Sequence, residues 1–224
     1  DETLPVDVFA FKAGFGLTTR TEAATARLPE ELIKQSLGDS ESVIFRGGTQ
    51  RPWANYVGDP SNWLVPVSAA SVNGAGNEIQ VTNIDVQKQE DARLVRWTGA
   101  GQFNSQFFWK TPNDRGVDFT KVSKNGGALS VVLNLTDSPA GKVSLRMDCV
   151  WPCSGRLDIT KLLKRLPTDQ WVRLSFPLAC FEEAGVDMGS VNAPFVLVSS
   201  RKMTVSVFDV AIVNAPDPDS VVRC

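Results

Sequence analysis

Cys149 and Cys153 enclose Val150, Trp151 and Pro152, and two thiols at that spacing in a Pro-containing turn either ligate a metal or join as a disulfide. Zinc would need a second such pair of Cys or His. Besides these the chain has only Cys180 and Cys224, and it contains no histidine. A Cys149–Cys153 disulfide is therefore expected, and with it an oxidising compartment. Cys149 also shares an inward strand phase with Cys180, so a core pairing of those two stands as the alternative.

The lack of histidine removes the commonest general base and the imidazole of a nucleophilic triad, leaving any catalysis to carboxylates, Lys, Tyr or Cys. A carboxylate pair set for glycoside hydrolysis leaves no mark in a sequence. The adjacent Glu182-Glu183 and Glu90-Asp91 read as solvated surface. Gly47-Gly48 and Gly99-Ala100-Gly101 adjoin strand patterns and do not link a strand to a helix, which argues against a phosphate loop. Lys plus Arg number 23 against 25 Asp plus Glu, a formal charge of −2, so no long-range field gathers nucleic acid or anionic lipid. No apolar stretch approaches the roughly 20 residues of a membrane span, and no basic segment followed by an apolar one opens the sequence. The expectation is a soluble chain without its export signal, and neither nucleic acid nor membrane as a partner.

Six tryptophans stand against one tyrosine. Trp stacks well on the apolar face of a pyranose, although most Trp in a β-sandwich are core. Strand phase separates them. Trp109 shares the phase of Phe103 and Phe107 and is expected inside. Trp171 is out of phase with Val172, Leu174 and Phe176 and in phase with Arg173, so both should point outward. Arg146 and Asp148 take the outward phase of a second strand, and Asn134 that of the strand expected to join it through a hairpin at 138–141. Trp171, Arg173, Arg146, Asp148 and Asn134 are the candidate carbohydrate-binding residues, one stacking surface among hydrogen-bonding groups. A merely solvated face, or Trp171 sealing a sandwich end, is the alternative. Asp209 puts an acid where inward and outward phase switch. With Asp39 or Glu41 it would form an oxygen cage for a structural calcium, the kind jelly-roll carbohydrate modules hold; a solvated bulge is the other reading.

The elements that must position these groups are strands. Period-two alternation is clearest at Leu129, Val131, Leu133 and Leu135, at Val143, Leu145, Met147 and Cys149, and at Val172, Leu174, Phe176, Leu178 and Cys180. Further strands are expected at 43–45, 62–67, 78–82, 93–97, 103–109, 194–198 and 203–213, with turns at 73–77, 125–127 and 138–141. Nine or ten short strands with few helices predict an all-β jelly-roll sandwich over residues 39–214. Before it, residues 1–38 read as a connector with a helix at 21–37. A short helix is expected at 158–166, opened by Asp158, and residues 215–224 read as a tail.

The segment from Val8 to Thr18, including Phe9, Phe11, Phe15, Gly16 and Leu17, resembles the strip closing the second, α/β-sandwich domain of glycoside hydrolase family 3 β-glucosidases. Then come Phe45-Arg46-Gly47, Pro52-Trp53, Trp97-Thr98-Gly99 and Asp148-Cys149-Val150-Trp151-Pro152-Cys153. Leu157-Asp158-Ile159-Thr160, the run from Trp171 to Phe181, and Pro194-Phe195-Val196-Leu197 follow. In that order they resemble the galactose-binding-like C-terminal domain of family 3 exo-acting β-1,4/β-1,3-glucan glucohydrolases, across residues 5–214. The resemblance implies a periplasmic or secreted accessory domain that binds or positions β-glucan or oligosaccharide beside the catalytic domains of a parent enzyme. It also implies that the catalytic Asp and Glu lie on those domains and outside this chain. The rival implication is a domain that only braces its neighbours; a self-sufficient carboxylate enzyme is the third reading.

Overall fold

The computed structural model describes residues 28–32 and 40–224. Thirteen strands form two sheets: β1 Ser40–Arg46, β2 Ala54–Asp59, β3 Asn62–Pro66, β4 Ser71–Asn73, β5 Ile79–Ile84, β6 Ala92–Trp97, β7 Ser105–Lys110, β8 Ala128–Asp137, β9 Val143–Cys149, β10 Ser154–Asp158, β11 Trp171–Pro177, β12 Val191–Ser199 and β13 Met203–Val213. One sheet runs β11-β8-β13-β6-β5-β4 with β1 also on β13; the other runs β10-β9-β12-β7-β2-β3. Three short helices, α1 Thr120–Lys124, α2 Thr160–Leu163 and α3 Leu178–Glu183, close the ends. The architecture is the expected galactose-binding-like jelly-roll sandwich.

Alternation explains the core. Leu129, Val131, Leu133 and Leu135 of the first sheet face Leu145, Met147, Phe107 and Trp109 of the second, all in one buried cluster. Trp109 is its aromatic centre, with Phe107 at 4.7 Å edge-on, Phe45 at 5.2 Å and Phe195 at 5.6 Å between ring centroids. Its indole N–H donates to Thr49 Oγ1 at 3.0 Å, so the buried ring leaves no polar atom unpaired. Phe103, expected inside with it, precedes the strand and is exposed.

Several expectations are corrected. Residues 138–141 are not a hairpin: β8 and β9 belong to different sheets, and the turn crosses the sandwich end, where Ala140 N–H bonds Lys202 O at 3.0 Å. Alternation tells which face of a strand is apolar, and two strands facing one core from opposite sheets alternate alike. The strand expected to run through Cys180 stops at Pro177; Leu178–Glu183 is helix, and Cys180 bonds Cys224. Residues 215–224 are no loose tail, because Val222 N–H reaches Ser175 O at 2.8 Å and Cys224 is tied to α3. Cys149 and Cys153 form the other disulfide. β2, β4 and β10 have no counterpart among the expected strands. The helix expected at 158–166 is only Thr160–Leu163, with Asp158 Oδ1 accepting from Thr160 N–H at 3.0 Å. Asp91 is buried, not solvated, and accepts three backbone N–H bonds. Of the helix expected at 21–37, the described part is one helical turn at 30–32; the family-like strip at 8–18 lies outside the described residues.

β13 changes neighbours along its length, pairing β6 through Met203–Val207 and β1 through Asp209–Val213, with a register shift between Val207 and Asp209. At that handover Asp209 is buried, taking Arg46 Nε at 3.0 Å and Nη2 at 3.3 Å, with Arg173 Nη1 at 3.8 Å. Removing one partner of such a buried pair strands the others. We expect Asp209→Ala to cost about 3–5 kcal/mol, read as a lower urea midpoint at unchanged slope. On the chain-entropy account, losing Cys180–Cys224 should cost about 4 kcal/mol and losing Cys149–Cys153 about 2, since the first closes the far longer loop. Paired Cys→Ser variants measured in urea check that order.

Candidate functional site

The five predicted carbohydrate-binding residues divide between the two outer faces. Trp171, Arg173 and Asn134 lie together on the first sheet, with Trp171 directly opposite Asn134 in the β11–β8 ladder. Trp171 does point away from the main core, as its phase required, but it is only 5% exposed. It packs in a second cluster with Leu28, Val132 and Phe208, and meets the Phe208 ring edge-on at 6.1 Å. Arg173 donates to Ser130 Oγ at 2.7 Å and to the Leu32 carbonyl at 3.0 Å. Burial pulls its guanidinium pKa below the ordinary value, and Asp209 opposes that shift. Asn134 is buried. This part of the face is the seat of residues 28–32, not a ligand platform.

The calcium reading also changes. Asp209 is committed to two guanidiniums, which repel a cation. Glu41 is exposed at the far end of β1 from Arg46, the residue that pairs with Asp209. Asp39 lies outside the described residues, and among those described no group of three Asp, Glu, Cys or His converges.

Among the described residues, the other outer face is open. Its register places Arg156, Arg146, Val196, Phe108, Tyr56 and Pro66 in one row across all six strands. Phe108, Val196, Val198 and Ala193, with Tyr56 stacked on Phe108 at 5.5 Å, make an apolar floor. Phe108 and Ala193 of this floor line a hollow of about 220 Å³, and a second hollow of about 540 Å³ shares Lys110, Arg146, Asp148 and Asn192 with it. Trp63 and Leu64, each 49% exposed, bound one hollow, and Trp151, 89% exposed, bounds the other. Together they form a groove across the sheet. From β3 to β9 there are four interstrand steps, about 19 Å along the sheet.

Arg146 and Asp148 are the two predicted residues that the groove contains. Two residues apart on β9, they share a face, and the carboxylate takes Arg146 Nε at 2.7 Å and Nη2 at 2.9 Å. Gln106 Oε1 accepts from the same Nη2 at 3.1 Å. The guanidinium is thereby held in place at the edge of the floor, with Asp148 beside it as an acceptor. Lys110 is paired with Asp114 on the rim. The arrangement offers aromatic surface at two ends and fixed donors and acceptors between, which suits a neutral polyhydroxylated chain.

Sequence reasoning missed Trp63, Trp151, Lys110 and Asn192. Trp63 is in phase with the inward Val65, and the pairing irregularity between Val57 and Asp59 turns it out. There β3 crosses so close that a Cβ on Gly58 would lie 2.4 Å from the Trp63 carbonyl oxygen. For Trp151 a signal existed: a Trp between two bonded cysteines sits in a loop too tight to bury it.

The two faces should respond oppositely to truncation. Trp171→Ala is expected to lose about 3–5 kcal/mol as a buried aromatic, whereas Trp63→Ala and Trp151→Ala should stay within about 0.5 kcal/mol of the parent in thermal or urea unfolding. Acrylamide quenching should fall most in Trp151→Ala.

Residues 51–212 match the galactose-binding domain-like family. The extra C-terminal domain of an exo-1,3/1,4-β-glucanase from a Pseudoalteromonas species superimposes with a TM-score of 0.67 at 16% identity, over 82% of this chain and 99% of that one. The whole of that enzyme gives a TM-score of 0.67 at 17% identity, over 84% of this chain but 22% of its own length. A family 30 carbohydrate-binding module of a Clostridium thermocellum cellulosomal cellulase gives 0.53 at 15% identity, over 78% and 98% of the two chains. At these identities the likeness is one of fold. No curated protein sequence matches the chain. On the family match and the jelly-roll sandwich together, the chain belongs to the galactose-binding domain-like family.

Proposed function

We propose that this domain is a non-catalytic accessory module of an exported polysaccharide-degrading enzyme of glycoside hydrolase family 3, and that it holds β-glucan in the open groove. The observation that carries this reading is the groove itself: two exposed tryptophans at its ends and a rigid Arg146–Asp148–Gln106 array between them. The structurally similar domains belong to a β-glucanase and a cellulase, which supports a glucan as the ligand. Two disulfides suit an oxidising compartment outside the cytoplasm.

A bracing role has one observation in its favour. Residues 28–32 are fastened to the first sheet by Leu28 and by the Arg173 bond to the Leu32 carbonyl, so this face carries a packed segment. That contact uses the face opposite the groove, and the two roles are compatible.

Because the aromatic ends lie about 19 Å apart along the sheet, the ligand should be a chain of several rings. Calorimetric titration should give Kd values of about 10 µM to 1 mM for cello- or mixed-linkage oligosaccharides, tightening with length, and no measurable binding of glucose. Trp151→Ala and Trp63→Ala should each weaken binding about tenfold without unfolding the domain. Absence of binding to every β-glucan, or binding indifferent to both substitutions, would reject the reading.

A further inference from the structure

We infer that the Cys149–Cys153 disulfide is the positioning device of the groove wall: it fixes the loop that presents Trp151 to the sugar, and ligand affinity depends on it while the fold survives its loss. This inference rests on the groove reading above. β9 ends at the buried Cys149, immediately after Asp148 on the groove floor, and β10 begins at Ser154, opposite Asp148 in the ladder. The five residues between those partners form the hairpin loop, and the disulfide joins its first and last members.

The anchors and the tip of this loop differ sharply. Cys149 is in the main core and Cys153 packs against it, while Val150 is 44% and Trp151 89% exposed. Inside the loop, Cys149 N–H bonds Cys153 O at 3.1 Å and Cys153 N–H bonds Val150 O at 3.4 Å. Outward support comes from one turn: Val150 N–H donates to Ser190 O at 2.9 Å, and Asp187 N–H approaches both sulfurs, at 3.4 Å from Cys149 Sγ and 3.2 Å from Cys153 Sγ. That turn, Met188–Ser190, is held by the Asp187 carboxylate, which accepts from Ser190 Oγ at 2.7 Å and Gly189 N–H at 2.9 Å. Trp151 itself covers almost nothing on its own chain.

A bond that closes so short a ring removes little entropy from the unfolded state, and this sandwich already has a continuous core. The same bond also acts on binding, because a side chain ordered in advance loses less freedom when the ligand arrives. An exposed aromatic on an open loop would have to be immobilised by the sugar. On a closed ring it is already in place.

The test is Cys149→Ser/Cys153→Ser with Cys180–Cys224 left intact. The double variant should fold, with unchanged circular dichroism, and should bind cello-oligosaccharides about tenfold more weakly, matching Trp151→Ala. The triple variant that adds Trp151→Ala should bind no more weakly than Trp151→Ala alone, since the bond acts through that ring. Time-resolved anisotropy, by difference against Trp151→Ala, should show the Trp151 indole moving faster once the bond is gone. Wild-type affinity in the double variant, while Trp151→Ala still weakens binding, overturns this inference and leaves the groove reading standing. Failure of the wild-type domain to bind any β-glucan overturns both. If the double variant does not fold, the claim that the fold survives loss of the bond is overturned. Dithiothreitol, oxidised to its cyclic disulfide as the cystine takes up two electrons and two protons, then tests the positioning claim by titration of the reduced wild type, with Cys180→Ser/Cys224→Ser under the same conditions as control.

Discussion

Every strand of the sandwich turns an apolar face into a common core, so the remaining demands on the sequence are settled on the two outer faces. Those faces have opposite fates. On the first sheet the outward Trp171, Val132 and Phe208 are too apolar to stand in water and are covered by the chain's own residues at 28–32, while the 217–222 segment lies along the edge strand β11. On the second sheet the apolar floor is narrow, bordered by Arg146, Asp148 and Lys110, and no described part of the chain lies over it. A surface of mixed character left open in this way is what a binding site requires.

The covered face also explains the charge at its centre. Where β13 passes from β6 to β1, the ladder is interrupted and Asp209 turns toward Arg46 on one neighbour and Arg173 on a strand farther across. A lone carboxylate there would be strongly destabilising, and so would either guanidinium without it. The triad carries its own compensation and reaches one step further, since Arg173 also bonds the Leu32 carbonyl. An acid at a phase switch looks in sequence like a metal ligand. What the sequence does not display is that the residue opposite it is an arginine.

The fold is legible because two-residue alternation survives in β8, β9, β11 and β13 whatever their neighbours are. The same alternation locates Arg146 and Asp148 on one face and Trp171 and Arg173 on another. It does not say whether two faces belong to one sheet, because that depends on strand order, and the short connection at 138–141 looks like a hairpin while it spans the sandwich. Phase also says nothing about what lies on top of an outward residue. For that reason it assigns Trp171 to the correct side and to the wrong environment. Trp63 shows the converse failure, since an irregularity in the β2–β3 pairing reverses the side that alternation assigns.

A tryptophan that is 89% exposed contributes little to folding, yet its loop is closed by a disulfide and bonded to the neighbouring turn. Asp187 caps the neighbouring turn, and Ser190 supplies both the hydroxyl that holds Asp187 and the carbonyl that holds Val150. The Ser190 hydroxyl, followed by the Gly189 amide, keeps the Asp187 carboxyl below the usual carboxylate range. A depressed carboxyl pKa stabilises the folded form above the unfolded value and loses that contribution as pH falls through the folded one. At neutral pH the support is therefore fully present. The disulfide, the capped turn and the Arg146–Asp148 pair then act toward one end: each fixes a group that faces the groove before any ligand enters. On the proposed glucan-binding reading, much of the sugar stays hydrated in so shallow a groove, and the freedom already removed from the protein is the main source of affinity left to it.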